Sequence, residues 1–109
     1  MLDFLNLKAK AEALQKNAKQ AVEELEKVTV SERSADESVT VTLTGNGKMV
    51  EVKIDPSFCF PEKAEALAKN LTDTLIRAQA RAAVLKKQAL DEATGGMMGQ
   101  MGGGLDGLL

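Results

Sequence analysis

Two runs of alternating apolar and polar residues, joined by a glycine-rich turn, constrain the fold of this chain more than any other feature. In residues 39–44 valine and leucine alternate with threonine, and in residues 50–54 valine and isoleucine alternate with Glu51 and Lys53. A period of two is typical of a strand with one face against a core. Gly45-Asn46-Gly47 between the runs tolerates positive φ, which tight hairpin turns require. The segment therefore predicts an antiparallel hairpin whose polar face is left to solvent or to a partner.

The first part of the chain has a helical period instead. Residues 3–28 place apolar side chains at alternating intervals of four and three, with neither glycine nor proline among them. This heptad-type spacing predicts one long helix. Its apolar seam consists of Leu7, Ala11, Leu14, Ala18, Ala21, Leu25 and Val28. Roughly 25 helical residues span about 37 Å, so part of the helix is expected to project or to meet a partner. Residues 28–31 and 34–37 predict a short strand and a polar turn.

A second long helix is predicted after the hairpin. Asp55-Pro56-Ser57 ends the last strand because proline removes a ladder donor, and Pro61 followed by two glutamates marks a helix start. The helix is expected to run to about Thr94 and to be apolar on two nearly opposite faces, one for the sheet and one for a second subunit. The first face is Ala64, Leu67, Leu71, Leu75, Ala78, Ala82, Leu85 and Ala89, and the second is Ile76, Ala80, Ala83 and Leu90.

These elements predict a single α+β domain over residues 1–94, in which a long helix, a three-stranded antiparallel β-meander and a second long helix follow one another. Residues 95–109 hold seven of the nine glycines, interleaved with methionines and without any apolar period. We predict a flexible tail there.

The residue types that are missing argue against several function classes. The 109 residues contain no histidine, tryptophan or tyrosine, and one cysteine, Cys59. Without imidazole or a second thiol, we expect no metal or cofactor site, and no enzyme active site for a small-molecule substrate. Three phenylalanines do not form the stacking platform that single-stranded nucleic-acid binders use. No signal peptide or membrane-spanning run is present, so a cytoplasmic location without membrane attachment is expected.

Three local patterns that suggest chemistry have simpler structural interpretations. Gly45-Asn46-Gly47-Lys48 has glycines two apart and a strand after it, whereas a phosphate-binding loop needs four residues between its glycines and then a helix. Glu51 and Asp55, four apart on a strand, would lie about 13 Å from each other, too far for a carboxylate pair. Cys59 stands between two phenylalanines, which predicts a buried structural thiol.

The basic residues are concentrated on the two helices, although the whole chain has a net charge of -2. Residues 1–20 carry four lysines against two acids, and residues 69–90 carry five basic residues against one acid. On the second helix one polar flank with little opposing acid consists of Lys63, Asn70, Arg77, Arg81 and Gln88. Such a row, doubled in a dimer, could neutralise backbone phosphates of DNA; a solvated helix face would carry the same pattern. The candidate DNA-binding residues from this charge placement are Lys8, Lys10, Lys16, Lys19, Arg77, Arg81, Lys86 and Lys87.

Residues 39–47 and 50–57, which end in Ile54-Asp55-Pro56-Ser57, resemble the central signature of the YbaB/EbfC family of bacterial nucleoid-associated proteins. The chain length, the first helix rich in Lys, Gln and Ala, and the glycine-rich tail are also similar to that family. The resemblance implies a nucleoid-associated homodimer whose helices project like tweezers and bind double-stranded DNA with limited sequence preference. It supplies no catalytic residues and no residue-by-residue DNA site.

The leading hypothesis is therefore a non-enzymatic, dimeric, DNA-binding protein. The alternative is a protein-interaction module that uses its long helices and methionine-rich tail to hold a protein partner. A membrane-surface helix is a third possibility, but the mixed-sign faces of both helices lack the division into basic and apolar sides that such helices have.

Overall fold

The computed structural model describes residues 4–95 and shows the predicted order of helix, three strands and helix. The elements are α1 (Phe4–Leu25), β1 (Thr29–Arg33), β2 (Val39–Thr44), β3 (Met49–Ile54) and α2 (Ala64–Ala93). Two short 3-10 turns, Pro56–Phe58 and Pro61–Lys63, connect β3 to α2. The strands form one antiparallel sheet in the order β1-β2-β3, so the predicted α+β architecture is confirmed. Of the predicted tail, all but Gly95 lies outside the described residues.

The core lies between α2 and one face of the sheet. Val39, Val41 and Leu43 of the central strand are fully buried, as their alternation with threonine predicts. From α2, Ala78 and Ala82 meet them, and their small side chains let the helix approach the sheet closely. The remaining member of this core cluster is Val30. The partly buried leucines that pack against the cluster are Leu67, Leu71, Leu75 and Leu85. The prediction that one face of the second helix packs on the sheet is thus confirmed.

The third strand departs from the simple expectation for an amphipathic hairpin because no residue of β3 is buried. Val52 pairs with Val41 and Ile54 pairs with Val39, so both lie on the face that α2 covers elsewhere. Both nevertheless remain 39% exposed. The helix lies over β1 and β2 and leaves the apolar side of β3 open. The register also shifts at Thr42/Leu43, so Val50 is an extra residue in a β-bulge.

The tip of the hairpin is packed against the end of α1. The Gly45 amide donates to the carbonyl oxygens of Leu25, at 3.0 Å, and of Val28, at 2.9 Å. The side-chain amide of Asn46 donates to the Val22 carbonyl oxygen at 2.9 Å. A Cβ at position 45 would lie 2.7 Å from Leu25 Cδ2 and 3.0 Å from the Leu25 carbonyl oxygen, so only glycine fits there without displacing the helix. These bonds satisfy carbonyls that the helix end leaves free, and α1 ends at Leu25 instead of the predicted Val28.

The first helix projects away from the body of the molecule. Exposure along α1 falls from 79% at Leu5 to 4% at Leu25, so the helix packs against other elements mainly at its C-terminal end. The molecule is 73 Å long, whereas the 30 residues of α2 span about 45 Å. The N-terminal half of the predicted apolar seam, including Leu7 and Ala11, is therefore exposed within one chain.

Candidate nucleic-acid interface

The four candidate lysines of α1 lie on the projecting part of the helix. Lys8, Lys10, Lys16 and Lys19 are all exposed, and within the described residues none of them has an ion-pair partner. At about 100° per residue, Lys8, Lys16 and Lys19 fall within an arc of about 80°. Glu12 lies on the same arc. Three lysines and one glutamate leave this side of the helix basic.

Charge changes sign along α1. Residues 4–20 carry four lysines and one glutamate, whereas residues 21–27 carry three glutamates and one lysine. The single lysine, Lys27, is paired with Glu24 at 3.5 Å. The acidic segment is the one that packs against the hairpin and α2, so the positive charge is concentrated on the more exposed residues 4–20 of the helix.

The two candidate arginines of α2 are held within the chain. The guanidinium of Arg77 donates to the carbonyl oxygen of Arg33 at 3.0 Å, and that of Arg81 donates to the carbonyl oxygen of Ser31 at 3.1 Å. Glu32 pairs with both guanidiniums, at 3.5 Å and 3.2 Å respectively. Part of the cationic surface predicted from the sequence is therefore engaged in linking α2 to β1.

Glu32 is the residue of this network that sequence reasoning missed. It lies two positions after the buried Val30 on β1, on the strand face that meets α2, and its side chain is 23% exposed. A carboxylate on a core-facing strand position needs a charged or hydrogen-bonding partner. In the sequence, this role of Glu32 is indicated only by its position two residues after Val30, which puts both side chains on the same face of the strand.

The last two candidates, Lys86 and Lys87, lie in the C-terminal part of α2. Lys86 is half-buried and Lys87 is exposed, and neither has an ion-pair partner among residues 4–95. Beyond them α2 and α1 border an open apolar groove of about 450 Å³. The groove is lined by Ala21, Glu24, Leu25, Val28, Ala89, Glu92 and Ala93. The two arginines are thus bound to β1, whereas the two lysines have no such contact.

A polar cluster occupies the turn between β1 and β2. Asp36 accepts hydrogen bonds from the Ser38 hydroxyl at 2.6 Å, the Ser38 amide at 3.0 Å and the Ser34 hydroxyl at 2.8 Å. The side-chain amide of Asn70 on α2 donates to its other oxygen at 2.8 Å. These donors, Ser38 first, lower the pKa of Asp36 to about 2. The cluster fixes the turn to α2, and Asn70 of the polar flank serves this contact.

The remaining sequence candidates have structural roles or none. Asp55 accepts from the amide and hydroxyl of Ser57, both at 2.9 Å, and the amide bond first and the hydroxyl bond second lower the pKa of Asp55. The prediction of a buried thiol is wrong, because Cys59 is exposed. Its segment belongs to the turns between β3 and α2, outside the core. Its neighbour Phe58 instead contacts Lys63, whose Nζ lies 4.7 Å from the ring centroid.

Two further classes of site concern metals and membranes. Among residues 4–95 no group of three potential metal-ligating side chains comes together. Neither described helix is apolar enough over a sufficient length to span a bilayer.

The class of protein defined by this arrangement is a small α-β-β-β-α protein with a projecting basic helix. The model of the YbaB/EbfC DNA-binding family matches residues 1–97. The chain belongs to that family, as its hairpin signature indicated.

Individual relatives agree with the family assignment. A nucleoid-associated protein of Caulobacter sp. (strain K31) is 34% identical over 103 residues, which cover 94% of each chain. A nucleoid-associated protein of Synechocystis sp. is 34% identical over 88 residues, covering 81% of this chain and 76% of the relative. The crystal structure of an uncharacterized protein from Helicobacter pylori has a TM-score of 0.73 at 24% identity, over 81% of this chain and 92% of the other. This last similarity shows a shared fold.

Proposed function

We propose that this chain is a non-enzymatic, nucleoid-associated protein that binds double-stranded DNA as a homodimer in the bacterial cytoplasm. The observation that carries the proposal is the row of exposed, unpaired lysines Lys8, Lys16 and Lys19 on one side of α1. Membership of a DNA-binding family and relatives named nucleoid-associated proteins support it.

The chemistry of the row favours phosphate contacts. Flexible lysines on an exposed helix can neutralise backbone phosphates and release condensed counterions, which gives affinity without base specificity. Base readout needs side chains held in fixed geometry at groove edges, whereas among residues 4–95 no ion pair holds Lys8, Lys16 or Lys19 in place. Limited sequence preference is therefore part of the proposal.

The open face of β3 supports the homodimer. Met49, Val52 and Ile54 lie on the core side of the sheet but are exposed. An apolar surface of this kind is typical of protein–protein contacts. A second copy covering it would extend the core beyond the reach of α2 and place two projecting α1 helices in one particle.

The test is a titration of fluorescent duplexes of several sequences with the full chain at increasing salt. Changing Lys8, Lys16 and Lys19 to glutamine should weaken binding by about tenfold or more. The slope of log affinity against log salt should also become shallower by about 0.9 for each phosphate that is no longer neutralised. The matched control changes Lys48, Lys53 and Lys69, three exposed lysines near the sheet, and should bind like the wild type.

Two results would contradict the proposal. If no duplex binds at low salt, DNA binding is wrong, and the protein-interaction hypothesis takes its place. If the α1 and control variants weaken binding equally, net charge and not the projecting helix determines the affinity.

A further inference from the structure

The outer edge of β1 would normally be able to pair with another strand. The Ser34 amide donates to the Val39 carbonyl oxygen at 2.9 Å, so this pair is a hydrogen-bonded pair of the β1–β2 ladder. Bonded and non-bonded pairs alternate in an antiparallel ladder. Ser31 and Arg33, which pair with Thr42 and Thr40, therefore turn their backbone groups away from β2 and toward the outside.

The outward carbonyls of β1 are occupied by side chains from α2. Arg81 donates to the Ser31 carbonyl at 3.1 Å and Arg77 donates to the Arg33 carbonyl at 3.0 Å. Glu32 lies between these two residues in sequence and pairs with both guanidiniums. The spacing matches because arginines four apart on a helix lie about 6 Å apart along its axis, close to the about 7 Å between alternate residues of a strand.

We propose that the β1 edge is a latent strand-pairing surface for a second copy of this chain, and that Arg77 and Arg81 close it. A fourth strand added to β1 would need the carbonyls that the two guanidiniums hold. Natural sheets commonly protect exposed edges with charged side chains in this manner. Glu32 acts as a positioning residue because it holds both guanidiniums beside the edge.

The partner is a second copy because β3 presents the complementary edge. Within the described residues no side-chain hydrogen bond reaches a β3 carbonyl or amide, whereas two reach β1. Pairing of one chain's β1 with the next chain's β3 is a head-to-tail contact, and such contacts produce rings or open-ended assemblies larger than a dimer. With β1 closed, growth through the sheet is limited to contacts made by β3. The inference is independent of DNA binding and relies on the proposed dimer only for the size of the wild-type particle.

The test is the particle mass of Arg77→Ala with Arg81→Ala, measured by light scattering without DNA over a wide range of concentration. The variant should show at least a doubling of mass relative to the wild type, rising with concentration. The control, Lys86→Ala with Lys87→Ala, removes the same charge from the same helix and should keep the wild-type mass. Arg77→Lys with Arg81→Lys retains cationic donors and should stay close to the wild type.

A third substitution, Ser31→Pro, tests whether the increase in particle mass arises at the β1 edge. Adding Ser31→Pro to the double alanine variant should restore the wild-type mass, because proline removes an outward N–H without removing a backbone hydrogen bond between β1 and β2. The hydrogen bond at 2.9 Å between the Ser31 and Thr42 hydroxyls is lost, so Ser31→Ala in the same background is the control and should leave the mass raised. An unchanged mass in a folded double alanine variant overturns the inference, and so does growth that Ser31→Pro does not reverse. If circular dichroism shows that the alanine variant is unfolded, Glu32→Gln is measured instead. It keeps both arginine side chains but loosens them, and wild-type mass in that variant overturns the inference equally.

Discussion

At the scale of single residues, Asp36 shows how a short polar turn is fixed. Its carboxylate accepts four hydrogen bonds, three from the serines that flank the turn and one from Asn70 on α2. Each donor favours the ionised form, so the pKa of Asp36 is lowered from 3.8 to about 2. The turn between β1 and β2 is thereby tied to the helix that covers the core.

Asp36→Asn is expected to be less stable than the wild type at neutral pH, because an amide cannot accept all four bonds. A carboxyl whose pKa is lower in the folded than in the unfolded protein stabilises the fold above its unfolded pKa. That contribution is lost as the pH falls from 3.8 towards about 2. The difference in unfolding free energy should therefore shrink over this window. Urea titrations at several pH values measure it, with Asp73→Asn on α2 as the matched surface control. A difference that stays constant down to pH 2 would count against this role.

The arginines and lysines differ in how well a sequence can describe them. Charge placement correctly puts Lys16 and Lys19 on an exposed helix face. It could not show that Arg77 and Arg81 contact the carbonyls of a strand more than 40 residues earlier. Every residue has a backbone carbonyl, so residue types do not show which carbonyls accept these bonds. Only the position of Glu32 on the core-facing side of β1 indicates that cationic side chains lie nearby.

At the scale of elements, the hairpin signature has a second task besides reversing the chain. Gly47 supplies the positive φ, at 86°, that the turn requires. Gly45 has no Cβ, and this absence lets the turn approach Leu25. The two glycines thus serve different physical needs, one conformational and one steric.

Gly45→Ala should destabilise the protein by about 1–3 kcal/mol, because its methyl group would overpack the buried end of α1. Gly47→Ala is the control: it has open space around it and should cost about 1–2 kcal/mol from backbone strain alone. Urea unfolding measures both changes. Limited proteolysis separates them, since cleavage near residues 21–28 should increase selectively in Gly45→Ala. Equal cleavage in the two variants would show that Gly45 does not position the helix.

The type and order of the elements were predictable because the periods of two and of about 3.6 are strong over residues 4–94. Burial was less predictable. Alternation shows that Val52 and Ile54 share a face, but not that α2 lies over β1 and β2 and leaves that face open. For the same reason the prediction that Cys59, between two phenylalanines, is buried is wrong.

At the scale of the whole molecule, two exposed apolar surfaces are candidates for the contact in the proposed dimer. One is the open side of β3, and the other is the outer face of α2 around Ile76 and Val84, both exposed. The β3 surface adjoins the core directly, because Val52 and Ile54 pair with fully buried residues. We therefore expect the second copy to bind there.

Val52→Glu with Ile54→Glu should reduce the particle to a monomer, because two carboxylates would be desolvated at the contact. The matched variant, Ile76→Glu with Val84→Glu, places the same charges on α2 and should remain dimeric. Sedimentation and circular dichroism together give the mass and the fold. If the α2 variant dissociates and the β3 variant does not, the contact lies on α2. A monomeric wild type would exclude both.

In the DNA-binding dimer that we propose, the attachment of α1 to the turn between β2 and β3 has a consequence for how DNA is selected. The helix direction is set by hydrogen bonds to Gly45 and Asn46, which belong to the same hairpin as β3. In a dimer formed through β3, these bonds also set the distance between the two helix tips. The lysine rows of the two α1 helices are then held at a fixed distance from each other. We therefore expect duplexes whose phosphates match that distance without bending to bind at a lower deformation energy, with groove width and curvature recognised in place of base sequence.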